Sequence, residues 1–308
     1  MADNLAIEIR GLTKSYGSVQ ALRGVDLRVR EAELFGFLGP NGAGKTTTIR
    51  CLLDLIRPQS GILRLLGYDP QQSAVEARRQ VGYLPGELSI DPNMSVEGAL
   101  RYLSGLRGQR AEWAHVRGLT ARLDLDVRSA IKNLSRGNKQ KVGIVQALMH
   151  RPRLLLLDEP TTGLDPLMQQ EVYRLLREAQ AEGCTVFFSS HIISEVEQLA
   201  ERVAIIREGI IVEEAQPARL RQMALRRVHV RFTEPVEFAS LSTLPGVNVL
   251  MCADGTRCTL QVAGEMGTLI QALGHLPVRD LETEHPSLEE IFLAYYERKE
   301  PEGGAHGH

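Results

Sequence analysis

The chain changes its hydrophobic period several times. An apolar stretch at 5–9, then Val25, Leu27 and Val29 alternating with Asp26, Arg28 and Arg30, predict half-buried strands. Residues 34–38 predict a short buried strand. Beyond a glycine-rich turn, Ile49, Leu52 and Leu53 recur at helical spacing. A strand is expected at 62–66, and a strand end and turn at 82–87. From 95 to 125 the texture is helical. Val96, Ala99, Leu100 and Leu103 mark one face; Trp113, Val116, Thr120 and Leu123 mark a second, with Gly105 and Gly108 between. Ser135 caps a helix whose inward face carries Val142, Val145 and Leu148 or Met149. Four leucines at 154–157 fit a strand covered on both faces, as in a parallel sheet. Asp165 as N-cap and Pro166 at the first helical position start a helix through Val172, Leu175, Leu176 and Ala179. A further buried strand at 185–188 leads to a helix with Ile192, Ile193, Val196 and Leu199 on its apolar face. Apolar runs at 203–206 and 210–212, around Glu208-Gly209, predict a closing hairpin. Strands alternating with helices predict an α/β domain, and 95–125 a helical insertion within it.

The pattern lapses in a partly charged stretch holding Pro217, then resumes differently. Val228, Val230 and Phe232 alternate, as do Val247, Val249 and Met251, and Cys258, Leu260 and Val262. Met266, Leu269, Ile270 and Leu273 form a helical face. After Pro286, Ser287 with Glu290 three residues on is a capping box opening a last helix through Leu288, Ile291, Phe292 and Tyr295. This is a small α+β domain without a catalytic constellation. The Gly- and His-rich tail is expected to be disordered, and His306 and His308 in it make a poor metal site.

With 308 residues the chain has room for about two domains. Lys plus Arg total 36 and Asp plus Glu 38, a net charge of −2, which argues against a nucleic-acid binder. Cys51, Cys184, Cys252 and Cys258 show neither metal-ligand spacing nor a secreted disulfide framework, so they are expected to be reduced thiols. The first residues lack the basic and apolar stretches of a signal peptide. No apolar run approaches the roughly 20 residues that span a bilayer, so work at a membrane needs another chain for the spans.

Candidate chemistry concentrates at five points. Gly39-Pro40-Asn41-Gly42-Ala43-Gly44-Lys45-Thr46-Thr47 has the spacing of a phosphate loop, between a predicted strand and a predicted helix as that motif requires. Glycines let backbone amides approach an anion at the helix start, Lys45 neutralises β and γ phosphates, and the Thr46 hydroxyl suits Mg²⁺. Asp158 and Glu159 stand at the C-terminal end of the leucine strand, where ligands sit in open α/β sheets. There Asp158 is placed to hold Mg²⁺, and Glu159 to orient or deprotonate a water. Ser135 and Gly137 put a hydroxyl and free amides at a helix N-terminus, which is either a plain cap or a second anion site. His191 ends a strand, within reach of a γ-phosphate or merely beside a helix cap. Tyr16 is either a packing residue or a ring for stacking on a base.

As an ordered set, these residues resemble the ATP-binding subunit of an ABC transporter over roughly 5–214. Residues 39–47 match Walker A, and 154–159 match Walker B with the catalytic glutamate. Residues 134–138 resemble the signature motif, 163–165 the D-loop and His191 the switch histidine, while Tyr16 falls at the adenine-stacking position. Arg136 and Asn138 depart from the usual Leu-Ser-Gly-Gly-Gln. Gly86 stands where the family has glutamine, which leaves Glu87 to take over contact with Mg²⁺ or water. Residues 82–87 and 135–141 resemble a subgroup of ABC-2-type exporter ATPases, often linked to drug or antibiotic efflux, whose C-terminal accessory domain resembles 228–296.

The resemblance implies a P-loop NTPase core of ABC type with an antiparallel β portion and a helical subdomain, plus a small C-terminal α+β domain. The implied boundaries are an ATP-binding domain at 1–215 with its helical insertion at about 87–133, a linker at 216–226, the accessory domain at 227–298 and a tail at 299–308. It further implies ATP and Mg²⁺ and a head-to-tail homodimer. There Ser135 and Gly137 of one copy face the nucleotide held by the other, and Asp165 of the D-loop is a further nucleotide-binding residue. It also implies an integral membrane permease of ABC-2 type, peripheral placement on the cytoplasmic face of the cell membrane, and efflux of a drug, antibiotic or lipid-like substrate. Three other readings stand beside it. A soluble ABC ATPase of translation or DNA repair usually has two halves or a coiled-coil insertion. A nucleotide-binding regulator would not hydrolyse. An importer would share the ATPase core.

Overall fold

The computed structural model describes residues 4–107, 111–217, 226–262 and 266–284. They fall into two compact units, Met1–Ala215 and Gln216–His308.

In the first unit the chain runs β1 (Leu5–Tyr16), β2 (Val19–Arg30), β3 (Leu34–Leu38), α1 (Lys45–Leu52), β4 (Ser60–Leu65), α2 (Ala74–Arg79) and β5 (Val81–Leu84). The helical segment follows, with α3 (Val96–Leu106), α4 (Trp113–Arg122) and a 3₁₀ turn (Ile131–Asn133). Then come α5 (Arg136–Leu148), β6 (Leu154–Asp158), α6 (Pro166–Ala181), β7 (Thr185–Ser190), α7 (Ile193–Leu199), β8 (Arg202–Arg207) and β9 (Ile210–Ala215). A six-stranded sheet has the order β5-β6-β7-β3-β8-β9, parallel except for β9. A three-stranded antiparallel sheet has the order β2-β1-β4.

Helix α1 touches strands of both sheets, and Ile49 and Leu52 are buried in the core they share. That core holds Ile7, Ile9, Leu12, Val25 and Leu27 from the antiparallel sheet, and Phe35, Phe37, Leu154, Leu156 and Phe187 from the other. Phe35 and Phe187 stack with centroids 5.8 Å apart, and Phe37 lies 5.3 Å from Phe187. Strands β3, β6 and β7 are buried along their whole length, the expectation for central parallel strands. In the helical segment Arg101 of α3 places its guanidinium 4.0 Å from the Trp113 ring of α4, a cation–π contact across the pair.

The second unit contains β10 (Arg226–Phe232), α8 (Ala239–Ser242), β11 (Val247–Ala253), β12 (Arg257–Val262), α9 (Gly267–Leu273) and β13 (Val278–Glu284). Its antiparallel sheet has the order β11-β12-β10-β13, the βαββαβ arrangement of a ferredoxin-like fold. Val228, Val230, Leu260, Val262, Leu269 and Leu273 form its core.

Several local expectations are modified. Met251 alternates with Val247 and Val249 in sequence, yet it is 68% exposed. A register irregularity between Val249 and Met251 breaks the alternation, and a one-residue shift moves side chains to the opposite face. Ile270 is 58% exposed because α9 turns only Leu269 and Leu273 fully inward. Helix α2 buries only Ala77, so no periodicity announces it. No hydrophobic alternation announces β13, since four of its seven residues are charged. The capping box at Ser287, the last helix and the tail lie outside the described residues, as does most of the expected linker.

Burial pushes the Cys51 thiol up to about 11 and the Cys184 thiol up to about 12. The Cys258 thiol is pushed up to about 12 by burial and by Cys252, whose sulfur lies 2.8 Å away. Cys252 is exposed. A thiolate is the reactive species, so the reduced native chain at about pH 8 is expected to take one N-ethylmaleimide rapidly, at Cys252. Mass spectrometry of the alkylated peptides checks this; rapid labelling at Cys51 or Cys184 would contradict their burial.

Candidate functional site

Register decides where the chemistry gathers. Leu38 of β3 pairs with Ser190, and Asp158 of β6 with Ser189, so three parallel strands end together. The phosphate loop, Glu159 and His191 all follow those ends, at the carboxyl edge where open α/β sheets bind ligands. The loop closes on itself: Ala43 N–H donates to the Pro40 carbonyl at 3.2 Å, and Gly39 N–H to the Ser190 carbonyl at 3.2 Å. Gly44 needs to be glycine. Its φ is +112°, and a Cβ there would sit 2.7 Å from Leu22 Cδ2 and 2.8 Å from the Ala21 carbonyl.

Lys45 opens α1 and is buried. Its ammonium donates to the Gly39 carbonyl at 2.6 Å and the Pro40 carbonyl at 3.1 Å, and lies 3.7 Å from Glu159 Oε1. Burial lowers its pKa, with Glu159 and Asp158 pulling the other way. Thr46 Oγ1 donates to Asp158 Oδ2 at 2.7 Å, and Ser189 Oγ donates to Asp158 Oδ1 at 2.6 Å. Asp158 thus bridges the loop and β7.

Glu159 adopts φ +52°, a left-handed conformation uncommon for a non-glycine residue. Its backbone is held there from both sides: its N–H donates to Ser189 Oγ at 3.0 Å, and its carbonyl accepts from Gln140 Nε2 at 2.9 Å. The side chain then reaches His191 Nδ1 at 3.0 Å through Oε1 and accepts from Thr162 Oγ1 at 3.2 Å through Oε2. Lys45, Thr46, Asp158, Glu159 and His191 therefore form one connected cluster.

The other candidates stand apart from that cluster. Ser135 caps α5, accepting from Asn138 N–H at 3.2 Å, and Asp165 caps α6, accepting from Met168 N–H at 3.0 Å. Gly137 packs so closely that a Cβ would sit 2.6 Å from the Gly163 carbonyl, which ties the start of α5 to the loop after β6. Tyr16 is exposed at the end of β1, with the Lys14 ammonium 5.3 Å from its ring centroid. A Cβ on Gly86 would lie 3.2 Å from Asp158 Oδ2, so the backbone at 86 abuts the cluster. Glu87 is exposed, and among the described residues its side chain makes no hydrogen bond or ion pair.

Sequence reasoning passed over Gln140, Thr162 and Ser189. Ser189 carried a signal in retrospect, since Ser189-Ser190 puts two hydroxyls at the end of an otherwise apolar strand. Gln140 and Thr162 carried none, because their roles come from packing α5 under the loop after β6.

The donor set fits a polyphosphate with a hard cation. Helix α1 has no side-chain cap and no acid in its first turn, so its leading amides and Lys45 present positive potential to an anion. Thr46 and Asp158 offer adjacent oxygen ligands of the kind Mg²⁺ prefers.

The comparisons agree with this chemistry. The ABC transporter family profile matches residues 22–162. The chain is 32% identical over 308 residues to the daunorubicin resistance ATP-binding protein DrrA3 of Streptomyces coeruleorubidus, across 95% of this chain and 96% of that one. It is 39% identical over 217 residues to the bacitracin transport ATP-binding protein BcrA of Bacillus licheniformis, across 68% and 69% of the two chains. A solved ATP-binding subunit of an ABC transporter superposes with a TM-score of 0.65 at 28% identity, covering 70% of this chain and 92% of that one. Similarity that runs nearly end to end, together with a phosphate loop and acidic strand end gathered at one sheet edge, shows that the chain belongs to the ABC transporter family as a nucleotide-binding ATPase subunit.

Proposed function

We propose that this subunit powers an ABC-2-type exporter that moves a drug, antibiotic or lipid-like substrate. The observation that carries the reading is similarity across 96% of a daunorubicin resistance ATP-binding protein, a span that takes in the C-terminal unit. Among the described residues no helix is long and apolar enough to cross a membrane. In this reading an integral permease supplies the spans and the subunit works at the cytoplasmic face.

Within the site, Lys45 and the loop amides bind the phosphates, and Tyr16 stacks on the base. Thr46 and Asp158 would hold Mg²⁺, and Glu87, exposed in the turn after β5, takes over the contact that Gly86 has no side chain to make. Bound Mg²⁺ neutralises charge on the phosphate oxygens. Glu159 orients and deprotonates the attacking water, and His191 holds the γ-phosphate and Glu159 in register. Ser135, Gly137 and Asp165 stand outside the cluster because they serve the nucleotide of a second copy. An anion site split between two chains closes when the γ-phosphate touches both and opens when hydrolysis removes it.

The test is capture of tagged Glu159→Gln protein from gently solubilised membranes with ATP and Mg²⁺. Recovery of a polypeptide with several apolar spans is expected. Recovery of ribosomes or nucleic acid without a membrane protein would overturn the exporter reading.

A further inference from the structure

The cluster has a neighbour that no motif assigns. Glu195 lies in the first turn of α7, is 5% exposed, and faces inward. Its Oε1 accepts from Thr161 Oγ1, and its Oε2 accepts from Ser190 Oγ at 2.6 Å. Ser190 Oγ in turn accepts from Ile192 N–H at 2.9 Å, while the Ser190 carbonyl holds the first amide of the phosphate loop. Among the described residues no lysine, arginine or histidine lies within ion-pair distance of Glu195. A buried carboxylate without a cation is costly unless hydrogen bonds satisfy it. Packing does not call for one here, since Val196 and Leu199 already bury α7. A carboxylate does provide two acceptors, and here one serves the loop after β6 and the other the end of β7. Thr161 follows Glu159 by two residues, and Ser190 precedes His191 by one.

We propose that Glu195 is a positioning residue for ATP hydrolysis: it clamps the loop after β6 to the end of β7 and thereby sets the contact between Glu159 and His191. This rests on the roles given to Glu159 and His191 above. Glu195 touches neither the nucleotide nor the water. Its two bonds make the loops move together, so a shift of the loop after β6 reaches His191 through Thr161, Glu195 and Ser190. An apolar or singly accepting side chain leaves each loop free to settle alone, and misplacing a reacting group by about 1 Å can cost about 100-fold in rate.

The experiment measures kcat, KM and equilibrium ATP affinity on the full-length chain and three variants. Glu195→Gln is expected to lower kcat roughly 10- to 100-fold with KM and affinity within about twofold of the original. Thr161→Val is expected to reproduce that loss, and Thr161→Ser, which keeps the hydroxyl, to restore the rate. Combining Glu195→Gln with Thr161→Val should add nothing beyond either change, because either alone already opens the clamp. A wild-type kcat for folded Glu195→Gln overturns the proposal, as does equal behaviour of Thr161→Val and Thr161→Ser. If Glu195→Gln does not fold, the two Thr161 variants decide, since they leave the carboxylate in place. An active wild type, an inactive Glu159→Gln and an unaffected Glu195→Gln reject the positioning role alone; an inactive wild type rejects the hydrolysis reading and this role with it.

Discussion

Glu159→Gln is expected to bind ATP as the original does and to hydrolyse it ~10²- to 10⁴-fold more slowly, the usual contribution of a positioned general base. The substitution keeps the shape of the side chain. A carboxamide oxygen can still accept from Thr162 Oγ1, now 3.2 Å from Oε2, and the backbone bonds to Ser189 and Gln140 are untouched. Three things are lost: the basicity needed to take a proton from water, the negative charge 3.7 Å from the Lys45 ammonium, and the carboxylate oxygen 3.0 Å from His191 Nδ1. Removing that charge leaves Lys45 freer to meet phosphate, so affinity holds or improves while turnover collapses. ATP that is bound but not cleaved should then hold two copies together. Single-turnover hydrolysis and light scattering with and without ATP measure both effects. Full turnover would remove Glu159 from the chemistry; slow turnover with a strictly monomeric ATP complex would reject the split-site dimer.

Much of this site is legible because its chemistry needs short, contiguous segments. The phosphate loop, the acidic end of β6 and the caps at Ser135 and Asp165 each follow from residue type and local spacing. The structure places each on the predicted element. Assembly of the cluster is another matter. Thr46 and Asp158 are brought within 2.7 Å by parallel registry among β3, β6 and β7, which no local pattern contains. Ser189, Gln140 and Glu195 matter only through that registry and through α5 and α7 packing beneath it. Their sequence neighbourhoods look like ordinary strand and helix.

The same distinction explains the misread elements. Alternation predicts a strand face only while the register continues, and the irregularity beside Met251 ends it. Periodicity finds a helix only when a stripe is buried, and α2 buries one alanine. At β13 pairing with β10 sets Arg231 opposite Asp280. The charged residues of β13 hide the strand from a hydrophobic reading, although an oppositely charged cross-strand pair favours it.

Lys45→Ala is expected to weaken ATP binding on the order of 100-fold or more, following the ~2–5 kcal/mol typical of removing one partner from a buried charge contact. The ammonium has two duties. It holds the Gly39 and Pro40 carbonyls, and so the curvature of the loop, and it is the fixed cation that the phosphates meet. Alanine leaves those carbonyls without their donor and the phosphates facing only amides and the helix dipole. Lysine also gives the binding a pH dependence of definite sign. Burial lowers its pKa, so its charge is lost at a lower pH than that of a free lysine, and ATP affinity should fall early on the alkaline side. The bound polyanion favours the charged form, so binding in alkaline buffer should take up protons; calorimetry in buffers of different ionisation enthalpy detects this. In Lys45→Ala both the uptake and most of the affinity should vanish while the melting temperature without nucleotide changes little, because the loop lies at the sheet edge and the Phe35, Phe37 and Phe187 packing is intact. Unchanged affinity in the variant would reject the phosphate-loop assignment outright, and an uptake that survived it would move the titrating group elsewhere in the cluster.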